Sequence, residues 1–298
     1  MRRAMVFLTF LACTATLGDI PDLRAAKARP VMNGIGLINY ARTRPEFTPG
    51  DWVKYRVTGS NSEGDQDDYF VTVFIAGEER FWGEDCFWVE TRTQMAGAKS
   101  DMAVATLMSF SIFGDSLAIP RMKLFMRKTI TDVNEDGTPR EDLTKRPPIT
   151  LRNRKPPGEK TAWTVDTVGV DTVNTPRGLY TCKMVKMEEG IAASSDRGDS
   201  STRTEVRDTR TVYYAEGIPI TAFAREHIVN TVHRKTWLIG RSSEGEMKLI
   251  ARSEGNARLI DWGSGMTSVL VPQKFQKTLR AQDAATSTAS RPKGKRAS

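Results

Sequence analysis

D-W-V-K-Y-R-V-T-G-S-N-S-E-G-D-Q-D-D-Y-F-V-T-V-F-I-A-G (residues 51–77) decides the fold. Val53, Tyr55 and Val57 fall on one side of an extended chain and Lys54 and Arg56 on the other, the period-two signature of a strand. The polar, glycine-rich run from Gly59 ends that strand. The next begins with Tyr69, Val71, Val73 and Ile75, which alternate with Phe70, Thr72 and Phe74, so both of its faces are at least partly apolar. A strand of that kind belongs in a sheet that carries a helix or a ligand on one side.

The same style continues along the chain. Trp82, Phe87, Trp88 and Val89 mark a further strand over residues 81–92, and others are expected near 120–130, 162–173, 180–184, 202–214, 220–229, 235–241 and 266–271. Few crossovers separate them, which requires mostly antiparallel pairing. The expected fold is mainly β, with about nine or ten strands and one or two helices. Residues 98–114 break the period: Met102, Val104, Ala105, Leu107, Met108, Phe110, Ile112 and Phe113 are apolar nearly all round, Asp101 is an N-cap and Gly114 a stop. That pattern predicts a helix over residues 101–113, either filling a curved sheet or lining a ligand site.

Composition and charge bound the partners. The chain carries +8 at pH 7, but the excess sits at its ends: residues 273–298 hold seven basic side chains against Asp283, whereas residues 47–272 are slightly acidic. A body that is not basic overall argues against nucleic acid. Residues 1–18 read as an export signal, with Arg2 and Arg3 before a short apolar core and small residues after it. Residues 19–46 read as a tether, 47–280 as a single antiparallel β domain, and 281–298 as a disordered basic tail. Export places the protein in the periplasm or at the periplasmic face of an outer membrane, where disulfides form. Cys86 and Cys182 are then either bonded to each other or two separate buried thiols.

Cys13, in F-L-A-C, resembles the lipobox cysteine of bacterial lipoproteins, with Phe10 where leucine is usual. The resemblance implies acylation at Cys13; the alternatives are ordinary cleavage after Ala15 or Gly18 and an uncleaved N-terminal anchor. Three further passages resemble segments of periplasmic proteins with the half-open β-barrel of the lipoprotein-localisation carriers: T-P-G-D-W-V-K-Y-R-V (48–57), N-T-P-R-G-L-Y-T-C-K-M-V (174–185) and V-Y-Y-A-E-G-I-P-I-T-A-F-A-R (212–225). This resemblance implies a long curved antiparallel sheet, a half-barrel wrapped round a helix, with an apolar concavity that in carriers holds acyl chains. It transfers no individual binding residue.

Candidate ligand-lining residues are Met102, Leu107, Met108, Phe110, Phe113, Met122 and Met126, since unbranched thioethers adapt to variable apolar ligands and equally fill ordinary cores. D-V-N-E-D-G supplies Asp132, Asn134 and Asp136 at calcium-loop spacing, but Leu143 stands where the bidentate glutamate belongs, and a plain hairpin turn explains the string. His227 and His233, six residues apart on one strand, sit about 20 Å apart and cannot share a metal. No nucleophile elbow, phosphate-binding glycine loop or zinc-protease motif occurs, so no cofactor is implied. The expected activity is non-catalytic binding or carriage of a lipid or lipoprotein acyl group; an envelope scaffold that contacts another envelope protein is the alternative, and a hydrolase with a dispersed site the third.

Overall fold

The computed structural model describes residues 34–40, 47–96, 102–114, 122–133, 138–143, 159–160, 164–197, 199–240 and 246–279. The chain is mainly β: one twelve-stranded, curved, open antiparallel sheet. Its strands are β1 (Trp52–Asn61), β2 (Gln66–Phe81), β3 (Glu84–Met95), β4 (Met102–Ser109), β5 (Met126–Val133), β6 (Pro139–Leu143), β7 (Glu159–Lys160), β8 (Thr164–Thr175), β9 (Gly178–Arg197), β10 (Ser200–Tyr214), β11 (Phe223–Leu238) and β12 (Lys248–Gly263). The order is β6-β5-β4-β3-β2-β1-β12-β11-β10-β9-β7, with β8 also on β9. Two meanders are thus welded where the first strand meets the last, β1 pairing β12 from Trp52 opposite Gly263 to Asn61 opposite Ser253.

The T-P-G-D turn starts this weld. Gly50, at φ 97°, takes a backbone conformation that a side chain would oppose. Asp51 accepts from the Thr48 amide at 2.7 Å and closes the turn.

Curvature follows from where the far meander lands. The β8–β9 hairpin reaches past β10 and β11 to touch β12: Arg177 Nε donates to Asp261 at 2.5 Å, its guanidinium lies 5.0 Å from the Trp262 ring centre, and Trp262 Nε1 donates to Tyr180 Oη at 3.0 Å. The inner face of the resulting half-barrel carries the larger core. Val53, Tyr55, Val57, Val71, Val73, Phe87, Met108, Cys182, Val212, Ala257 and Leu259 all belong to it.

Residues 101–113 do not form the expected helix. Met102–Ser109 is β4, followed by a single 3-10 turn at Phe110–Ile112; Asp101, the expected cap, lies outside the described residues. The reason is that β4 is covered on both faces. Leu107 pairs with Trp88 in a second core on the outer side, while Met108 pairs with Phe87 in the inner one. A strand buried on both faces loses its polar alternation and reads like a buried helix. Two neighbouring expectations also shift. Met122–Phe125 is one helical turn, α1, before β5, and residues 266–271 are not a strand.

Residues 264–279 run as an irregular strap over the outer face, where Leu270, Val271, Met266 and Phe275 pack on Phe74, Trp88 and Leu107. Ser268 Oγ donates to the buried Glu90 and accepts from the Leu270 and Val271 amides. The strap passes so close to Gly77 that a Cβ there would lie 1.8 Å from the Phe275 carbonyl oxygen. Under it, Glu79 accepts from Trp88 Nε1 at 3.0 Å and from Lys128 Nζ at 2.9 Å, so a buried cation and anion satisfy each other.

The double cover makes a direct prediction. Leu107→Ala and Met108→Ala should each destabilise the fold by about 2–5 kcal/mol, whereas Met102→Ala, at 45% exposure, should stay within about 0.5 kcal/mol. Denaturant unfolding checks all three, and a near-zero effect at either 107 or 108 would contradict burial on that face.

Candidate functional site

The inner face has an apolar end and a polar end. At the apolar end it is covered by three short pieces of chain: residues 34–40, which include a 3-10 turn at Gly34–Leu37, the turn at Phe110–Ile112, and α1. Residues 34–40 come from the expected tether, yet Leu37, Ile38 and Tyr40 are each 3% exposed. An aromatic group fills the space. Phe87 sits 4.8 Å from Phe110, 5.5 Å from Phe113 and 5.3 Å from Phe47, with Tyr40 5.5 Å from Phe113. Between the cover and its surroundings run two backbone bonds, Asn39 N–H to the Ile220 carbonyl at 3.3 Å and Gly114 N–H to the Tyr40 carbonyl at 2.9 Å.

The loop that receives Asn39 is strained. Ile220 at φ 63° and Ala222 at φ 59° are left-handed without being glycine, a cost on the order of 1–2 kcal/mol each. Tyr55 holds the loop there: its hydroxyl lies 2.5 Å from Thr221 Oγ1 and 2.7 Å from the Phe223 carbonyl that accepts its proton. Burial pushes the Tyr55 phenol far above its ordinary pKa, so it remains a donor. A shallow recess beside the loop is lined by Asp51, Gly217, Ile218, Pro219, Trp262 and neighbours. The passages at 48–57, 174–185 and 212–225 therefore converge on one rim, through Asp51, Arg177 on Trp262, and Ile218.

The seven expected lining residues do not form one surface. Met108 lies in the inner core and Phe110, Phe113, Met122 and Met126 pack against it; Leu107 is in the outer core and Met102 is exposed. Strand alternation separates 107 from 108. The cysteines are likewise divided, Cys86 in the outer core and Cys182 in the inner one, both free. The Cys86–Cys182 bridge is therefore not formed, because a layer of sheet stands between the two sulfurs. Burial pushes the Cys86 thiol up to about 12 and raises Cys182 as well, which disfavours the reactive thiolate in both. Of the calcium-like string, Asp132 is exposed on β5 and Asn134 and Asp136 lie outside the described residues; Asp132 opposite Arg140 and Val133 opposite Pro139 frame a β5–β6 hairpin. Cys13 also lies outside the described residues. Both histidines are on β11, where His227 Nε2 lies 3.0 Å from Glu254 Oε1.

The polar end was not anticipated from sequence. Cross-strand register puts Asp208, Asn230 and Ser253 in one row, Arg210, Ile228 and Gly255 in the next, and Val212, Glu226 and Ala257 in a third, on the same face as Val57. Glu226 is 3% exposed and Ser253 2%. Arg210 pairs with Glu226 at 2.8 Å, and the Asn230 amide donates to Asp208. Asp208 Oδ1, Arg210 Nε, Glu226 Oε2, Asn230 Oδ1, Arg234 Nε and Ser253 Oγ are buried without a hydrogen-bond partner. The available signal was weak: in T-E-V-R-D-T-R-T-V-Y-Y both faces of β10 carry polar residues, which reads as a solvated strand.

No family model and no curated protein matches the chain. Among solved structures it is similar to a candidate lipoprotein from Parabacteroides distasonis (10% identity, 76% of this chain and 100% of that one, TM-score 0.30). It is also similar to a candidate exported protein with a YmcC-like fold from Bacteroides fragilis (14%, 75% and 100%, TM-score 0.30). A LolA superfamily protein from Nitrosomonas europaea matches at 9% identity over 81% of this chain and 96% of that one, TM-score 0.25. Overlaps this low transmit no function to this chain. Nor is any helix among the described residues long and apolar enough to cross a membrane.

The polar end has a pH signature. Burial raises the carboxyl pKa of both Asp208 and Glu226, with Arg210 opposing it. The folded chain then holds these protons more tightly than the unfolded chain. Their contribution to stability is full below the ordinary carboxylate range and is lost as pH rises through the folded values. Between about pH 4 and about pH 7, the melting temperature of Asp208→Asn should therefore improve relative to wild type. Parallel pH profiles would contradict a buried Asp208 carboxyl.

Proposed function

We propose that this is an exported cell-envelope protein that binds or carries an acyl group, of a lipid or a lipoprotein, on the inner face of its half-barrel. The N-terminal eighteen residues deliver it across the inner membrane, and acylation at Cys13 tethers it where the lipobox is read. The observation that carries the binding reading is the nature of the cover. Leu37, Ile38, Tyr40, Ile112 and Phe125 close the apolar end with side chains on short, irregular segments, outside the ladder of the sheet. An acyl chain offers the same apolar contacts, so it can exchange with such a cover at little net cost. Met108, Met122 and Met126, placed around it, adapt to the chain that enters.

A second reading, an envelope scaffold that contacts protein, is favoured by the edge strand β8, where Val165, Val168 and Val170 are 60%, 53% and 74% exposed. The hydrolase alternative gains nothing from the two thiols, whose raised pKa values disfavour nucleophilic attack.

Two measurements test the acyl reading. Native mass spectrometry after mild extraction from the envelope should find the chain carrying a lipid-sized adduct. Replacing Leu37 and Ile38 by alanine should weaken the cover and tighten binding of a fluorescent fatty acyl probe by about threefold to tenfold. Adduct-free protein, with no probe uptake by wild type or variant, would remove this reading in favour of the scaffold.

A further inference from the structure

We infer that the polar end of the inner face, formed by Asp208, Arg210, Glu226, Asn230, Arg234 and Ser253, is a recognition site for a neutral, hydroxyl-rich group: the sugar or polyol headgroup of an amphiphile. The inference deepens the acyl reading and rests on it only for the apolar part of the ligand.

Open valences collect on this face. A buried polar atom without a partner costs about 1–3 kcal/mol, and native proteins pair nearly all of theirs. Here Asp208 Oδ1, Glu226 Oε2, Asn230 Oδ1, Arg210 Nε, Arg234 Nε and Ser253 Oγ all stand unpaired on β10, β11 and β12. They share one face of the sheet. Residues 208 and 210 share one side of β10, residues 226, 230 and 234 the facing side of β11, and Ser253 lies opposite Asn230.

Two carboxylates, Asp208 and Glu226, are balanced by two guanidiniums, Arg210 and Arg234. A phosphate placed here meets both carboxylates, and an ammonium both guanidiniums; either juxtaposition is unfavourable at low dielectric. A hydroxyl both donates and accepts, so it satisfies a carboxylate oxygen and an arginine N–H at once. The Asn230 amide and the Ser253 hydroxyl extend the same mixed character.

Gly59 and Gly255 face each other in the row that contains Arg210 and Ile228, leaving that row without side chains on two adjacent strands. Three strands at about 4.8 Å spacing make the two central rows, which hold Asp208, Asn230, Ser253 and Arg210, about 10 Å wide, the scale of one or two sugar rings, while Glu226 and Arg234 stand roughly 13 Å along β11 on either side of Asn230. Apolar side chains flank the two central rows, with Val206 opposite Val232 between Asn230 and Arg234 on one side, and Val212, Ala257 and Val57 in the row of Glu226 on the other. A headgroup seated on the glycine row thus puts its aliphatic chain on the inner core.

The test compares octyl β-glucoside, below its micelle concentration, with 1-octanol and with glucose, by calorimetric titration of the full chain. Octyl glucoside should bind at least about tenfold tighter than octanol, the worth of one or two added hydrogen bonds. In Asp208→Asn and Glu226→Gln that preference should fall to about threefold or less. Glu226→Gln removes the charge that Arg210 pairs with, so Ser253→Ala, which alters no charge, provides a second variant if the first melts early; it too should lower the preference. Equal binding of the two amphiphiles, or a preference that survives all three substitutions, would overturn the headgroup site while leaving acyl binding intact. Binding of glucose without octanol would support the headgroup site and sink the acyl reading instead. Failure of octyl glucoside to bind at all would overturn the proposal outright.

Discussion

A β-sheet whose strands are apolar on both faces has to be covered twice, and β2 to β4 impose that demand on this chain. Phe74, Trp88 and Leu107 point to one side, Val73, Phe87 and Met108 to the other, and none is exposed. Antiparallel strands joined by hairpins supply no crossover helices for the purpose. The chain meets the demand with irregular segments: residues 34–40, the turn at Phe110–Ile112 and α1 fold over the inner face, and residues 264–279 strap the outer one. Fully burying a large apolar side chain contributes about 1.5–3 kcal/mol, so these two coverings hold a large part of the stability of the first meander.

The second meander is built differently, and the difference explains where a ligand fits. From β8 to β12 the strands are long and mostly polar, and β8 is exposed along nearly its whole length. Its ladder hangs it on β9, and the clasp of Arg177 and Tyr180 on Asp261 and Trp262 holds the turn end of that hairpin against β12. Where the second meander faces inward it carries an amphipathic surface, with valines at its margins and paired charges between them. Strain at Ile220 and Ala222, fixed by Tyr55, ties the rim of that surface to the N-terminal cover. Cover, rim and polar end thus meet on a single concave face.

Much of this was legible from sequence, and the rest has identifiable physical causes. Period-two alternation named β1 and β2 because one partner face of β1 is solvated and its lysine and arginine mark it. It failed at β4, where Leu107 and Met108 enter different cores and the run looks helical. It also failed at β12, the strand that joins the two meanders. The inner-face residues of β12 from Ala251 to Ala257 are alanine, serine and glycine, too small to register as a hydrophobic stripe. The turns were readable from Thr-Pro-Gly-Asp and from Pro-Arg-Gly because proline and glycine announce them locally. The polar end was not, since Asp208, Glu226 and Ser253 are brought together by register across three strands, which a single stretch of sequence does not encode.

The first meander is sealed on both faces by irregular segments of its own chain, residues 34–40, Phe110–Ile112 and α1 inside and residues 264–279 outside, and amide hydrogen exchange reads that seal most directly. The account predicts that amides of β2, β3 and β4 exchange only through global unfolding, while those of β8 exchange through local opening many orders faster. Rapid exchange across Val71–Ile75 or Ala105–Met108 in the folded protein would contradict it.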